Sequence, residues 1–348
     1  MERKTTEKNN EDLEKIRKII NELIETFGGA NSDFDKQLVS QMIESSLKLL
    51  KEKHDTGQLK LMNRSLKEMR YAYKLFNQFK GDPFISIFGS SRTPPDHPDY
   101  KAAMEFGKIM GKDGWKVITG AAHGIMKAGL EGVEKTSSFG LSIKLPLELT
   151  TNDILENDPK LVTFRYFFTR KLIFVSQAKA FAAFPGGYGT LDELFEVLTL
   201  MQTGKTNIAP IVLVEGEGES YWKEWQKYID AFLLEKGWIS PEDKSLYYLA
   251  KDPEDAKNHV EQFYKNYHSS RYFKDYLVIR IKRIIPDEIV QEINKRFKTL
   301  LTSGVIEQKS ITTSEEDQEF PQYPRIVFQH NRKYYGLLRQ LIDFLNNY

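Results

Sequence analysis

Three times along the chain, a short apolar run ends in a glycine-containing turn, and a helical pattern follows. The three segments are PFISIFGSS from Pro83, WKVITGAAHGIM from Trp115 and AFAAFPGGYGT from Ala180. Strands that alternate with helices at this spacing form right-handed βαβ units, which place the strands parallel in one sheet with helices on both faces. The sequence therefore predicts an α/β fold with a Rossmann-like, doubly wound parallel sheet.

The 348 residues are more than one compact core usually takes, so further units are expected on either side of this sheet. Residues 13–80 carry apolar side chains at helical spacing. Residues 1–80 are therefore predicted to form a helical N-terminal extension that packs on the next domain or on a second subunit. The Rossmann-like domain is assigned to 81–267. After a linker at 268–276, residues 276–348 combine strand and helix patterns around a polar stretch at 308–319, and they are predicted to form a small α+β C-terminal domain.

Composition excludes several classes of function. Fifty Lys and Arg against 49 Asp and Glu leave a net charge of +1, which disfavours nucleic acid as a partner. The absence of cysteine excludes disulfides, thiolate nucleophiles and iron–sulfur clusters, and six scattered histidines give no metal-binding spacing. We therefore expect neither a metal nor a cofactor. The charged N-terminus and the lack of an 18-residue apolar run predict a cytoplasmic protein without a membrane span.

The turn at 185–190, Pro-Gly-Gly-Tyr-Gly-Thr, is the most informative of the three. In an open parallel sheet, ligands bind beyond the carboxyl ends of the strands, where such turns can converge. Gly186, Gly187 and Gly189 let a ligand approach the backbone, and the helix that follows starts with unpaired N–H groups that attract an anion. Thr190 adds a hydroxyl group. The turn is neither a Walker loop nor a GxGxxG fingerprint.

Two carboxylates, Asp192 and Glu193, lie in the first turn of that helix. A carboxylate at this place is often only a capping group, because it is stabilised by the helix dipole and by free backbone N–H groups. The same position, beside a predicted anion site, also suits a catalytic acid or base. From the residues alone, both interpretations of Glu193 stay open.

The motif PGGYGTLDE at 185–193 resembles the PGGxGTxxE motif of the LOG ("lonely guy") family of nucleoside 5′-monophosphate phosphoribohydrolases, which includes proteins formerly labelled lysine decarboxylases. The family's Arg-Lys pair is matched by Arg170 and Lys171, and its first turn by Phe88-Gly89-Ser90-Ser91. Its second glycine turn is matched by TGAAHGIM at 119–126, where two alanines replace glycines. The resemblance covers roughly 81–265.

This resemblance implies hydrolysis of the N-glycosidic bond of a nucleoside 5′-monophosphate, with a purine base as the expected one. It implies Glu193 as the catalytic carboxylate and Arg170 as its catalytic partner. The family also implies a homodimer or a higher homo-oligomer. The implied substrate-binding residues are Gly89, Ser90, Ser91, Arg92, Gly120, Lys171, Gly186, Gly187, Gly189 and Thr190.

Other functions remain open at this stage. A nucleotide sensor or a carrier of a phosphorylated cofactor would need the same glycine turns but not Glu193 and Arg170 together. An assembly scaffold built on the terminal segments is compatible with either function. The joint presence of Glu193 and Arg170 favours the enzyme.

Overall fold

The structure is a computed structural model that describes residues 2–29, 32–145, 152–309 and 319–348. The chain divides into two compact units, Met1–Glu68 and Met69–Tyr348. The polar stretch predicted at 308–319 lies almost entirely outside the described residues.

The first unit contains the helices α1 (Glu2–Phe27) and α2 (Asp33–Lys48) and the first part of α3 (Thr56–Phe76). Helix α1 ends immediately before Gly28, whose φ of +70° is a left-handed conformation that glycine adopts without strain. Helix α2 begins after Ser32, whose hydroxyl group accepts a hydrogen bond from the Asp35 N–H at 3.1 Å. These are the helices that the apolar spacing predicts.

The second unit is built on a parallel sheet. Its strands are β1 (Phe84–Phe88), β2 (Lys116–Thr119), β3 (Ser138–Ile143), β4 (Leu161–Phe164), β5 (Ala180–Ala183), β6 (Ile211–Leu213) and β7 (Tyr248–Leu249). The strand order is β4-β3-β2-β1-β5-β6-β7, and every neighbouring pair is parallel. The helices that accompany these strands are α4 (Pro98–Lys112), α5 (Ile125–Glu131), α6 (Phe167–Gln177), α7 (Tyr188–Gln202), α8 (Tyr221–Tyr228) and α9 (Pro253–Phe263). The predicted doubly wound α/β fold is confirmed.

Successive residues of β1 point to opposite faces of the sheet, and each face has its own core. Phe84 and Phe88 belong to one buried apolar cluster, whereas Ile85 and Ile87 belong to a second. The strand order reverses between β1 and β5, so the helices that follow these two strands, α4 and α7, pack on opposite faces of the sheet, and a crevice opens at the carboxyl ends of the strands.

The C-terminal part of this unit is an antiparallel sheet with two helices. Its strands are β8 (Tyr267–Phe273), β9 (Tyr276–Ile281), β10 (Leu301–Lys309) and β11 (Arg325–His330), in the order β10-β11-β9-β8, and its helices are α10 (Asp287–Arg296) and α11 (Tyr335–Leu345). Buried residues of this sheet, such as Ile279 and Phe328, share one apolar cluster with Phe181 and Ile211 of the parallel sheet. The predicted boundary between these two domains stays a prediction.

The segment 268–276 was expected to be a linker, and this expectation is wrong for most of it. Residues 267–273 form β8, which pairs with β9 through a two-residue turn at Lys274 and Asp275. Lys274 has a φ of +51°, the left-handed conformation that such hairpin turns require. Strand β8 lies at the edge of its sheet and is only partly buried, so its residues need not be apolar. The polar sequence HSSRYF therefore gave no strand signal.

Among the described residues, no helix is both long enough and apolar enough to cross a membrane.

Candidate functional site

A cavity of about 850 Å³ opens at the point where the strand order reverses. Its walls come from the turns after β1, β2 and β5, from α6 and from the start of α7. Eleven of the twelve site residues predicted from the sequence line it. They are Gly89, Ser90, Ser91, Arg92, Gly120, Arg170, Gly186, Gly187, Gly189, Thr190 and Glu193.

The first and third turns touch one another. The Ser90 N–H donates a hydrogen bond to the Pro185 carbonyl oxygen at 3.1 Å. A Cβ atom on Gly186 would lie 2.9 Å from the Ser90 nitrogen and 2.8 Å from the Thr190 Cβ, so only glycine fits there. Gly187 and Gly189 have open space where a side chain would be, on the side from which a ligand could reach the backbone.

The second turn is held against the first. The Ile125 N–H donates to the Ser90 carbonyl oxygen at 2.9 Å, and a Cβ atom on Gly124 would lie 2.7 Å from the Ser91 carbonyl carbon. Ala121 in this turn has a φ of +58°, a conformation that costs an alanine roughly 1–2 kcal/mol. Glycine would adopt it freely, so the alanine needs support from its surroundings.

Asn152 provides that support, and the sequence analysis missed it. This fully buried residue donates from its backbone N–H to the Ala121 carbonyl oxygen at 2.8 Å and from Nδ2 to the Ala122 carbonyl oxygen at 3.0 Å. Its Oδ1 accepts from the Leu155 N–H at 3.3 Å. No motif marks an asparagine some 30 positions from its partners, so the sequence offered no signal for it.

Helix α7 begins at the third turn without a side-chain cap among the described residues. The N–H groups of Thr190 and Leu191 both donate to the Gly187 carbonyl oxygen at 3.1 Å. The N–H groups of Tyr188 and Gly189 precede the first intrahelical acceptors and stand at the positive end of the helix dipole. This geometry suits a phosphate group.

Arg170 and Glu193 meet inside the cavity, with 3.5 Å between Nη2 and Oε1. Glu193 is 6% exposed. The guanidinium of Arg170 lies 5.1 Å from the ring centre of Phe167 and 5.7 Å from that of Phe174. Its buried Nε has no hydrogen-bond partner among the described residues, so the group keeps an unused donor.

Both charged groups have pKa values that are shifted from their ordinary ones. Burial raises the pKa of Glu193 to about 7, although the nearby guanidinium of Arg170 opposes this rise. Burial also lowers the pKa of Arg170, which the attraction of Glu193 counteracts. A carboxyl group with a pKa near neutrality can exchange a proton under the conditions in which a cellular enzyme works.

Lys171, the twelfth predicted residue, lies outside the cavity lining. Its ammonium group pairs with Asp192 Oδ2 and with Glu196 Oε2, both at 2.7 Å. The structure therefore separates Lys171 from the other predicted residues and gives it partners on the outer side of α7.

A second residue that the sequence analysis missed is Tyr221, the first residue of α8. Its hydroxyl group donates a hydrogen bond to the Gly186 carbonyl oxygen at 2.7 Å. This bond fixes the orientation of a peptide group in the third turn. Tyr221 lies 35 positions from Gly186 in the sequence, and a tyrosine at a helix start carries no recognisable signal.

The remainder of the cavity wall is largely apolar. It is formed by Phe88, Met126, Ile143, Leu145, Phe174 and Leu191. A flat, mostly apolar ring system could lie against these side chains while its polar end reaches the glycine turns. Among the described residues, no three His, Asp or Glu side chains come together in a way that could hold a metal ion.

Residues 115–260 match the family model described as "possible lysine decarboxylase". The chain is 27% identical over 164 residues to a cytokinin riboside 5′-monophosphate phosphoribohydrolase of Mycobacterium tuberculosis, covering 46% of this chain and 84% of that protein. It is 35% identical over 94 residues to the enzyme of the same name, LOG7, of Arabidopsis thaliana, covering 27% of this chain and 42% of that protein. The match therefore spans less than half the length of this plant relative.

Among solved structures, the chain is similar to the molybdenum cofactor binding protein of Rippkaea orientalis, with 19% identity and a TM-score of 0.39. That similarity covers 52% of this chain and 97% of the other. The molybdenum cofactor carrier protein of Chlamydomonas reinhardtii is 21% identical, with a TM-score of 0.38 and coverage of 52% and 97%.

Proposed function

We propose that the protein hydrolyses the N-glycosidic bond of a nucleoside 5′-monophosphate, the reaction that the similarity of its α/β domain to the LOG family implies. The products are the free base and ribose 5-phosphate. The observation that carries the proposal is the pairing of buried Glu193 with Arg170 in a cavity that also contains an uncapped helix start. A protein that only bound a nucleotide would need the helix start but not this pair.

The 5′-phosphate binds at the start of α7. The free N–H groups of this helix and the Thr190 hydroxyl group supply donors there, and Ser90, Ser91 and Arg92 add donors from the first turn. The base lies against the apolar wall. A purine offers this wall a larger flat surface than a pyrimidine does, which favours a purine nucleotide.

Glu193 acts as the ionised carboxylate. Departure of the base leaves positive charge on the sugar ring, and a buried carboxylate stabilises that charge more strongly than water would. The same oxygen atoms orient a water molecule and accept a proton from it as its oxygen bonds to C1′. The leaving base takes up the electron pair of the broken C–N bond and receives the proton that Glu193 accepted from the water, so Glu193 returns to its ionised form.

Arg170 orients the substrate and lowers the pKa of Glu193, so that more of the carboxylate is ionised at neutral pH. Its unused Nε donor is available to a substrate oxygen or to a ring nitrogen of the departing base. A homo-oligomeric state and a cytoplasmic location are further parts of the proposal that follow from the family resemblance and from composition.

The test is a chromatographic assay of the purified protein with AMP, GMP, IMP, CMP, UMP and isopentenyladenosine monophosphate. We expect free base and ribose 5-phosphate from at least one purine nucleotide. Glu193→Gln should reduce kcat by at least about 100-fold, the usual contribution of a positioned acid–base group.

Glu196→Gln is the matched control, because this residue lies one turn further along α7 and pairs with Lys171 outside the cavity. It should retain wild-type activity within a few-fold. If a nucleotide binds but no base appears, the protein is a sensor or carrier and the hydrolase assignment is wrong. Equal losses in both variants would show that the helix, rather than the Glu193 carboxylate, was disturbed.

A further inference from the structure

One aromatic residue of the cavity that holds the Glu193–Arg170 pair is left half exposed. It is Phe167, the first residue of α6, which lines the cavity and is 51% exposed. Two aromatic residues of the apolar wall differ from it, because Phe88 and Phe174 are buried and pack edge to face with 5.2 Å between their ring centres. Phe167 therefore has aromatic surface that a ligand in the cavity can still bury.

Arg170 holds the Phe167 ring close to the proposed reacting groups. The guanidinium lies over the ring, 5.1 Å from its centre, and Nη2 lies 3.5 Å from Glu193 Oε1. Residues 167 and 170 are one turn apart on α6, so their side chains project from the same face of the helix. The cation–π contact keeps the ring beside the guanidinium. A nucleotide whose C1′ lies against Glu193 therefore has its base within reach of this ring.

We propose that Phe167 is a specificity-determining residue for the base, and that the nucleobase of the substrate stacks on its ring. The inference rests on the proposed function for the class of substrate and adds the side chain that recognises the base. Every nucleobase has a flat π-face that can stack on an aromatic ring, and the larger face of a purine buries more surface. Recognition of this kind selects by the size of the ring system rather than by the hydrogen-bonding groups on its edge.

The stack has a kinetic signature. Stacking holds the base equally before and after the C–N bond breaks, so it stabilises the bound substrate and the transition state to the same extent. Uniform binding of this kind lowers KM and leaves kcat unchanged. A ring that only positioned the Arg170 guanidinium would instead affect kcat, and would do so for every base.

Tyr188 is the other residue of the cavity lining with an exposed aromatic ring, and it is less suited to this role. It is 95% exposed, so almost nothing holds its ring in place. Ordering a mobile side chain on binding costs affinity, whereas Phe167 is already fixed by Arg170. The geometry therefore favours Phe167 as the stacking residue.

The test measures affinity without turnover, by calorimetric titration of the full-length Glu193→Gln protein with AMP, CMP and ribose 5-phosphate. Adding Phe167→Ala should weaken AMP binding by about 5- to 150-fold, the usual worth of one base–aromatic stack, and CMP binding by less. Ribose 5-phosphate has no base, so its affinity should not change, which also verifies that the site is folded. Phe167→Tyr should restore AMP binding, whereas Phe167→Leu, which fills space without a π-face, should not.

Phe168→Ala is the matched control. This neighbouring residue is 52% exposed and stacks on Tyr166 with 5.6 Å between ring centres, and it is not part of the cavity lining. Its truncation removes a similar exposed ring from the same turn of α6. The affinities for AMP and ribose 5-phosphate should both stay unchanged.

Three outcomes overturn the inference. Equal losses of AMP and ribose 5-phosphate affinity in Phe167→Ala would show that the ring acts through Arg170 or the fold. Unchanged AMP affinity would exclude stacking on Phe167, and a loss in Tyr188→Ala would then identify the stacking ring. Absence of AMP binding with Phe167 intact would leave no base to stack.

The two proposals fail in different ways. AMP binding that depends on Phe167, without release of base by the wild-type protein, supports the stack and contradicts the hydrolase. Release of base with a KM for AMP that Phe167→Ala leaves unchanged supports the hydrolase and contradicts the stack.

Discussion

The carboxyl group of Glu193 is buried, and burial raises the free energy of its ionised form. Burial raises its pKa to about 7 from the ordinary 4.5, and the nearby positive charges of Arg170, at 3.5 Å, and Lys171 offset only part of that effect. Such a group is retained at the expense of stability, because water would solvate the carboxylate better than the protein does. The sequence identified both residues through their motif, but the extent of burial became visible only in the folded structure.

The raised pKa of Glu193 gives a pH dependence of stability with a definite sign. Between about pH 4.5 and pH 7 the unfolded chain is already ionised while the folded protein still holds the proton. The folded state then binds more protons, so its free energy of unfolding falls as the pH rises through this window. The full shift corresponds to on the order of 3 kcal/mol.

Glu193→Gln removes this ionisation. We therefore expect the variant to gain stability relative to the wild type as the pH is raised from 4 to 8, by up to on the order of 3 kcal/mol. Urea unfolding of both proteins across this range measures the difference. A difference that is constant with pH would contradict the assigned shift.

Asn152 shows a second effect at the scale of single residues. Its amide holds the carbonyl oxygen of Ala122 at 3.0 Å and thereby maintains a turn in which Ala121 is strained. Sequence reasoning could not find this residue, because neither its type nor its position distinguishes it from any other asparagine.

Asn152→Ala should lower the free energy of unfolding by about 1–3 kcal/mol, since it leaves the buried Leu155 N–H without its acceptor and the partly buried Ala122 carbonyl group without its donor. It should also raise KM for the nucleotide more than it lowers kcat, because Ala122 lines the cavity. Asn152→Asp is the informative comparison, as it keeps the acceptor for Leu155 but lacks the Nδ2 donor. An Asp variant with wild-type KM would show that the amide donor does not position the turn.

At the scale of elements, the long periodic segments were predictable and the short strands were not. The three predicted strand–turn–helix units are present, as β1 with α4, β2 with α5 and β5 with α7, whereas β4 and β7 belong to none of the predicted units. β7 has only two residues and β4 lies at the sheet edge, so each forms because a neighbouring strand offers it hydrogen bonds. Strand β10 has mostly exposed residues and no apolar alternation, so its pattern alone does not indicate a strand.

The position of α8 matters to the site through one hydrogen bond. Tyr221→Phe removes the 2.7 Å bond to the Gly186 carbonyl oxygen, which is worth about 0.5–1.5 kcal/mol. KM for the nucleotide should rise by about 2- to 12-fold with kcat nearly unchanged, because the proposed role of the turn is to bind the phosphate and not the reacting bond.

Tyr247→Phe is the control for this experiment. Its hydroxyl group makes a bond of the same length to Gln226, away from the cavity lining. The Tyr247→Phe variant should lower the free energy of unfolding to a similar degree and leave KM unchanged. If both variants raise KM equally, the effect comes from general loosening and not from the Gly186 turn.

At the scale of the larger unit, the parallel and antiparallel sheets share one apolar cluster. The sequence indicated two domains because a polar segment separates their patterns, but a shared core is a property of packing that no local pattern reveals. Such a core favours unfolding of both sheets in one cooperative step.

Ile279→Ala tests this expectation. Ile279 lies on β9 and is fully buried, so its truncation should cost about 2–5 kcal/mol. All four tryptophans precede residue 239, and their fluorescence therefore reports on the α/β part. We expect the fluorescence-detected midpoint of urea unfolding to fall with that of the circular dichroism signal. An unchanged fluorescence midpoint would show that the two sheets unfold independently.

The reversal of strand order also determines how much of the chain a ribosome must synthesise before the cavity can form. The turn at Gly186 follows the turn at Gly89 by about a hundred residues, and strand β1 finds its neighbour β5 only after that stretch has been made. At roughly 5–20 residues per second, a ribosome needs about 5–20 s to add them. A nascent chain therefore carries only part of the proposed phosphate site, and we expect a nucleotide to stabilise the protein only after the chain has grown past Glu193.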